Sequence, residues 1–130
     1  MKALYLDDSV DTCDCCGRTG LKVTVAMKLD DGGILHYGRT CAARNSGKDQ
    51  RRIKEEIEID KKERKAAACA EFYAHPAKLA WQEKRELLFN EFGRLAPAEW
   101  IEKMKPESAS VKLAQAEIAS KYKLHFCDVY

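Results

Sequence analysis

From Leu21 to Leu29, hydrophobic and polar positions alternate: Leu21, Val23, Val25, Met27 and Leu29 against Lys22, Thr24, Ala26 and Lys28. This period of two predicts a half-buried β-strand. Asp30-Asp31-Gly32-Gly33 then supplies the positive-φ positions of a hairpin turn, and Ile34 to Tyr37 returns as a second strand. Lys2 to Leu6 reads as a short strand of its own, and Asp11 to Gly20 as turn chemistry. After Gly38 the pattern becomes helical near Thr40, with Cys41 in the first turn. Asn45-Ser46-Gly47 interrupts it, and Ser46 is the expected cap of a helix running to about Ala74.

The remainder is helical in period and propensity. Lys54 with Glu58, Glu58 with Lys62, and Asp60 with Arg64 are spaced to pair along one helix face. Pro76 opens a further helix at a position where its missing N–H costs nothing. Trp81, Leu88, Phe92 and Leu95 form that helix's stripe. Pro97 starts a short helix carrying Trp100, Ile101 and Met104, which Pro106 is expected to end. Ser108 or Ser110 then caps a last helix with Val111, Ala114, Ile118 and Tyr122 on one face. The tail, Leu124 to Tyr130, alternates weakly, which suggests pairing with the N-terminal strand. The expected fold is α+β: a β-hairpin module over 1–47, then three to four helices over 48–130, packed together as one unit.

Composition changes this picture in one respect. A chain of 130 residues can bury a modest core with little reserve, so a small subregion gains from a metal staple. The net charge of +2 is close to balance and by itself demands no nucleic acid or acidic partner. The first residues carry Asp7, Asp8 and Asp11 and lack the apolar run of a secretory signal. No apolar run approaches the ~20 residues that span a bilayer. The chain therefore reads as cytosolic. In a reducing compartment its six cysteines serve better as ligands or buried thiols than as disulfides.

Cys13, Cys15 and Cys16 crowd a polar turn, followed by Gly17, the hairpin, and His36-Tyr37-Gly38-Arg39-Thr40-Cys41. A Cys-x-x-Cys-Gly turn aims backbone N–H groups at its sulfurs, and both thiolates can then hold one ion about 2.3 Å away. A helix start favours a thiolate at Cys41 through unpaired amides. Zinc held by Cys13, Cys16 and Cys41 is the expected centre. His36 leads as the fourth ligand, Cys15 is its rival although three ligands within one short loop would strain it, and Asp14 is a weaker option. Cys69 and Cys127 sit singly among apolar residues and read as buried thiols; His75 and His125 read as surface or cap histidines.

The residues CDCCGRTGLKVTVAMKLDDGG and HYGRTCAAR resemble a class of small proteins encoded by bacteriophages and bacteria. Their pattern is Cys-x-x-Cys-Gly, a Thr-Val strand, an acidic-Gly turn, and Gly-x-x-Cys-Ala. The likeness covers residues 13 to about 47 and falls on Cys13, Cys16, Gly17, Gly38, Cys41 and Ala42. It implies a treble-clef-like zinc finger in a phage-related setting, and no reaction. Arg39 stands where some relatives carry a second cysteine, so the pattern is incomplete here.

Three classes of function follow. Arg39, Arg44, Lys48, Arg51, Arg52 and Lys54 face a single acid, Asp49, over the same stretch and could neutralise phosphates of DNA or RNA. The plainer reading is a solvated basic helix start offset by Glu55 to Asp60, and no aromatic platform accompanies the patch. Alternatively, aromatics such as Tyr73, Trp81 or Trp100 form a protein-binding or homodimer surface, although each fits a core stripe as readily. The phage resemblance would make a host defence or transcription factor the target of such an inhibitor. An enzyme is the least supported class, for the chain has no H-E-x-x-H, no deaminase signature and no phosphate-cradling loop.

Overall fold

The computed structural model describes residues 1–130. It is an α+β chain whose strands β1 (Lys2–Asp7), β2 (Thr24–Lys28) and β3 (Ile34–Tyr37) precede helices α1 (Arg39–Ser46), α2 (Gln50–Ala74), α3 (Pro76–Phe92) and α4 (Pro97–Lys121). Its residues group into two compact units, Met1–Glu63 and Arg64–Tyr130, with the division inside α2.

In the first unit the sheet order is β1-β2-β3, antiparallel throughout. Of the two turn glycines only Gly32 takes a positive φ, 89°, and Leu29 N–H donates to Gly33 O at 2.8 Å to close the hairpin. β2 is the central strand, and it differs from the half-buried strand expected over 21–29. It starts at Thr24, and Thr24, Val25, Ala26 and Met27 are all buried. Both faces are therefore covered. The Thr24 hydroxyl meets this burial by bonding to the carbonyls of Asp7 and Val10. Ala3, Cys13, Val25, Met27, Tyr37, Ala42 and Ile53 form the core.

Glu56 is a buried carboxylate in this unit. Its oxygens accept from the Ala3 amide at 3.0 Å and from Lys48 Nζ at 2.5 Å. Burial opposes its ionisation, but the Lys48 and Ala3 hydrogen bonds outweigh that and hold its pKa below the ordinary value. α1 stops at Gly47, which takes the left-handed conformation at φ 68°. The cap of α2 is Asp49, whose Oδ1 accepts from Arg52 N at 2.8 Å. Ser46 was the expected cap, but it lies at the end of α1 and its hydroxyl donates back to Ala42 O.

In the second unit α3 begins as anticipated, with Pro76 in its first turn and His75 Nδ1 accepting from Ala77 N at 3.1 Å. α4 corrects two expectations. Pro106 does not end a helix; it lies inside one continuous helix from Pro97 to Lys121, and neither Ser108 nor Ser110 is a cap. A proline there forfeits one backbone bond, at a cost of roughly 3 kcal/mol in an unsupported helix. Burial just before the proline and contacts to α3 just after it offset that loss. Met104 is buried, Glu107 pairs with Lys84 at 2.8 Å, and Ser108 accepts from Trp81 Nε1. Phe92, expected in the buried stripe of α3, is exposed, whereas Leu88 is buried.

The tail is also corrected, for it adds no strand to the sheet. Phe126–Asp128 is a 3-10 turn closed by reciprocal bonds between His125 and Asp128. Val129 is buried with Ala68, Phe72, Ile118 and Ala119, where apolar helix faces offer more burial than a sheet edge would. No helix is long and apolar enough to cross a membrane.

Candidate metal centre

The loop between β1 and β2 carries Cys13 and Cys16. Cys13 N–H donates to Arg18 O and Gly17 N–H to Cys13 O, both at 2.9 Å. Gly17 permits the reversal with φ 73°. A second tie fixes the loop on β3: Asp14 N–H donates to His36 O, and His36 N–H to Asp14 Oδ2, each at 2.7 Å. The hairpin β2–β3 then leads through Gly38 into α1, which presents Cys41.

The Sγ atoms of Cys13, Cys16 and Cys41 all lie within 4.8 Å of one another. Sulfurs placed tetrahedrally about 2.3 Å from one ion would stand about 3.8 Å apart, so small adjustments suffice. Cys13 is buried in the core, Cys41 is half-buried and Cys16 is exposed, and no cysteine is in a disulfide. Three close thiols of this kind could hold a metal ion.

The thiols differ in acidity. Burial raises the Cys13 pKa, but the backbone N–H groups of Cys16, Gly38 and Cys15 aimed at its sulfur lower it to about 7. The helix start was expected to favour a thiolate at Cys41. Instead, hydrogen bonding with the Cys13 and Cys16 thiols, aided by desolvation, the Cys13 charge and Cys15, pushes Cys41 up to about 12. Beside the cluster, Tyr37 is raised by burial and then by the charges of Cys15, Asp14, Cys13 and Cys41.

His36 is not brought into the cluster. Its ring Nε2 lies 3.2 Å from Asp7 Oδ2. Strand alternation explains this. Tyr37 and Leu35 pack with the core that contains Cys13, so His36 between them turns to the opposite face, where it meets β1. Asp7 is held below its ordinary pKa by the Ser9 hydroxyl first, against burial, and then by the Ser9 amide and His36. His36 thus serves the loop through its main chain. Asp14, the weaker ligand option, spends Oδ2 on that same main chain.

Asn45 was not singled out from sequence. Its Nδ2 donates to Cys41 O at 2.8 Å and to Cys15 Sγ at 3.3 Å. The available signal was its spacing, four residues after Cys41 on one helix face. Of the basic residues, Lys48 bonds to Glu56 and to Met1 O, Arg51 pairs with Glu55, and Arg52 reaches Glu55 and Glu56. Arg39 and Lys54 line a groove with Leu6, Val25, Ile53 and Ile57, and Arg44 lies in the last turn of α1. No family model matches this chain, and no curated protein or solved structure matches it.

Proposed function

We propose that the N-terminal unit is a zinc-held, treble-clef-like module and that the protein works by binding another protein. The proximity of the Cys13, Cys16 and Cys41 sulfurs carries the metal reading. A thiolate donor set favours a soft or borderline ion, and zinc suits a tetrahedral site without redox chemistry. Loop, hairpin and ligand-bearing helix follow one another in treble-clef order. The ion's role is structural: it ties the Cys13 loop to α1 and adds order to a small core.

A protein partner is preferred to nucleic acid for two reasons. Lys48, Arg51 and Arg52 are engaged by Glu55 and Glu56, which weakens the phosphate-binding patch. Meanwhile α3 and α4 leave Leu87, Phe89, Ile101 and Leu113 more than 60% exposed, at 61%, 63%, 66% and 67%. The phage-related setting, with a host protein as target, rests on the Cys-x-x-Cys-Gly and Gly-x-x-Cys-Ala motifs alone.

Elemental analysis of the purified chain tests the metal reading. One zinc per chain is expected, and Cys41→Ser should lose it. Stoichiometric zinc retained by that variant would overturn the assignment. For the partner, a lysate protein captured by the wild type and lost with Phe89→Asp is expected. A low-salt shift of DNA or RNA abolished by Arg44→Glu and Lys54→Glu would favour nucleic acid instead.

A further inference from the structure

We propose that Cys15 supplies the fourth thiolate of the metal centre, positioned by Asn45, so that Cys13, Cys15, Cys16 and Cys41 form a four-sulfur shell. This deepens, and rests on, the reading of the three-cysteine cluster as a metal site.

The argument begins with Asn45. One amide nitrogen donates both to the Cys15 sulfur and to the carbonyl of Cys41. It therefore fixes the Cys15 side chain beside the turn of α1 that carries Cys41. An N–H group directed at sulfur is also what a metal-bound thiolate needs, since it offsets part of the charge and orients the ligand. The sulfurs of Cys13, Cys16 and Cys41 lie within 4.8 Å of one another, and Asn45 ties the Cys15 sulfur to the residue that carries the third of them. Four cysteines are thus gathered around α1.

The competing donors are committed elsewhere. The His36 ring faces Asp7, and Asp14 Oδ2 holds the His36 amide. Cys15 lies outside the mutual 4.8 Å group formed by the other three sulfurs, so it must turn toward the ion on binding. Its side chain is exposed, and the Asn45 amide that holds it must follow the sulfur as it turns. A four-thiolate shell around a divalent ion is doubly negative. The backbone N–H groups at Cys13 and the Asn45 amide supply compensating donors. The shell is closed, which excludes a water-derived nucleophile on the ion and accords with a structural role.

Cobalt and zinc binding to the reduced 130-residue chain test the assignment. Wild-type protein should show sulfur-to-cobalt charge transfer at four-thiolate intensity. Cys15→Ser should lose about one-quarter of that intensity, one ligand of four, and bind zinc at least about tenfold more weakly. His36→Gln should change neither quantity. Asn45→Ala should weaken zinc binding in the wild-type background and have no further effect in Cys15→Ser, because its amide acts through that sulfur. Equal losses from Asn45→Ala in both backgrounds would remove it as a positioning residue.

A measurement on the unaltered chain guards against a variant that misfolds. Alkylation of Cys15, read by peptide mass, should be fast without zinc and suppressed with it. If zinc protects Cys13, Cys16 and Cys41 while Cys15 alkylates at an unchanged rate, the proposal fails and the three-cysteine reading stands. If wild-type protein binds neither cobalt nor zinc, both fail.

Discussion

Met1–Glu63 and Arg64–Tyr130 are similar in length, yet they bury their side chains differently. The first encloses a central strand on both faces: Val25, Ala26 and Met27 are each at most 1% exposed. Around that strand it assembles a paired buried carboxylate, Glu56, and the cysteine cluster. The second relies on small residues at helix contacts, Ala68, Ala114 and Ala119, with a few larger ones such as Phe72 and Met104. It leaves Tyr73, Leu79, Leu87, Phe89, Ile101 and Leu113 exposed. The contrast follows from geometry. A three-stranded sheet packed with the α1 and α2 residues Ala42 and Ile53 can enclose its middle strand, whereas a helix touching few neighbours turns part of its apolar surface to water. One unit closes on specific polar ties and a cysteine cluster that could hold a metal; the other leaves large apolar side chains exposed.

Metal removal should separate the two units most sharply. A chelator, or Cys13→Ala, is expected to cost the first unit up to about 10 kcal/mol of metal-linked stability. Amides of Val25 and Met27 should then lose hydrogen-exchange protection while those of Ala114 and Ile118 keep theirs. Equal loss in both units would break the comparison. Phe72→Ala is the reciprocal change. Loss of this buried ring should cost roughly 3–5 kcal/mol in the second unit and leave zinc affinity unchanged, as calorimetry with zinc titration would show.

Glu56→Ala should cost the first unit roughly 3 kcal/mol, because it leaves the Ala3 amide without its acceptor and Lys48 with the Met1 carbonyl alone. The same pair makes a pH prediction. Glu56 has a folded pKa below its unfolded value. Its stabilisation is therefore complete above the unfolded carboxylate range and is lost as pH falls through the folded pKa. Denaturant midpoints of wild type and Glu56→Gln should converge in acid and separate toward neutrality. Divergence on acidification would contradict the pairing. The effect of opposite sign is expected from Pro106→Ala, which restores an N–H to α4 and should stabilise the second unit by up to roughly 3 kcal/mol. A net loss would show that Pro106 itself contributes to packing.

Legibility from sequence followed the range of the forces involved. The hairpin over Asp30–Gly33, the stop at Gly47 and the start at Pro76 are set by local backbone preferences, and they stand in the structure where the residues placed them. Cys13, Cys16 and Cys41 were readable because a Cys-x-x-Cys-Gly turn and a helix after a hairpin carry their own geometry. The asparagine beside Cys15 was harder to foresee, since its role depends on where α1 meets a loop thirty residues earlier.

What the sequence determined by itself, then, is the set of short-range commitments: strand, turn, helix start, and the spacing of three sulfurs. Tertiary structure decided the rest. It turned the His36 ring toward Asp7, because its neighbours Leu35 and Tyr37 take the core face. It carried α4 through Pro106, because burial of Met104 before it and contacts with α3 just after it outweigh one missing backbone bond. It drew Val129 onto apolar helix faces rather than a sheet edge. In each case a weak local preference met a long-range contact worth more, and burial of apolar surface with its polar groups satisfied settled the outcome.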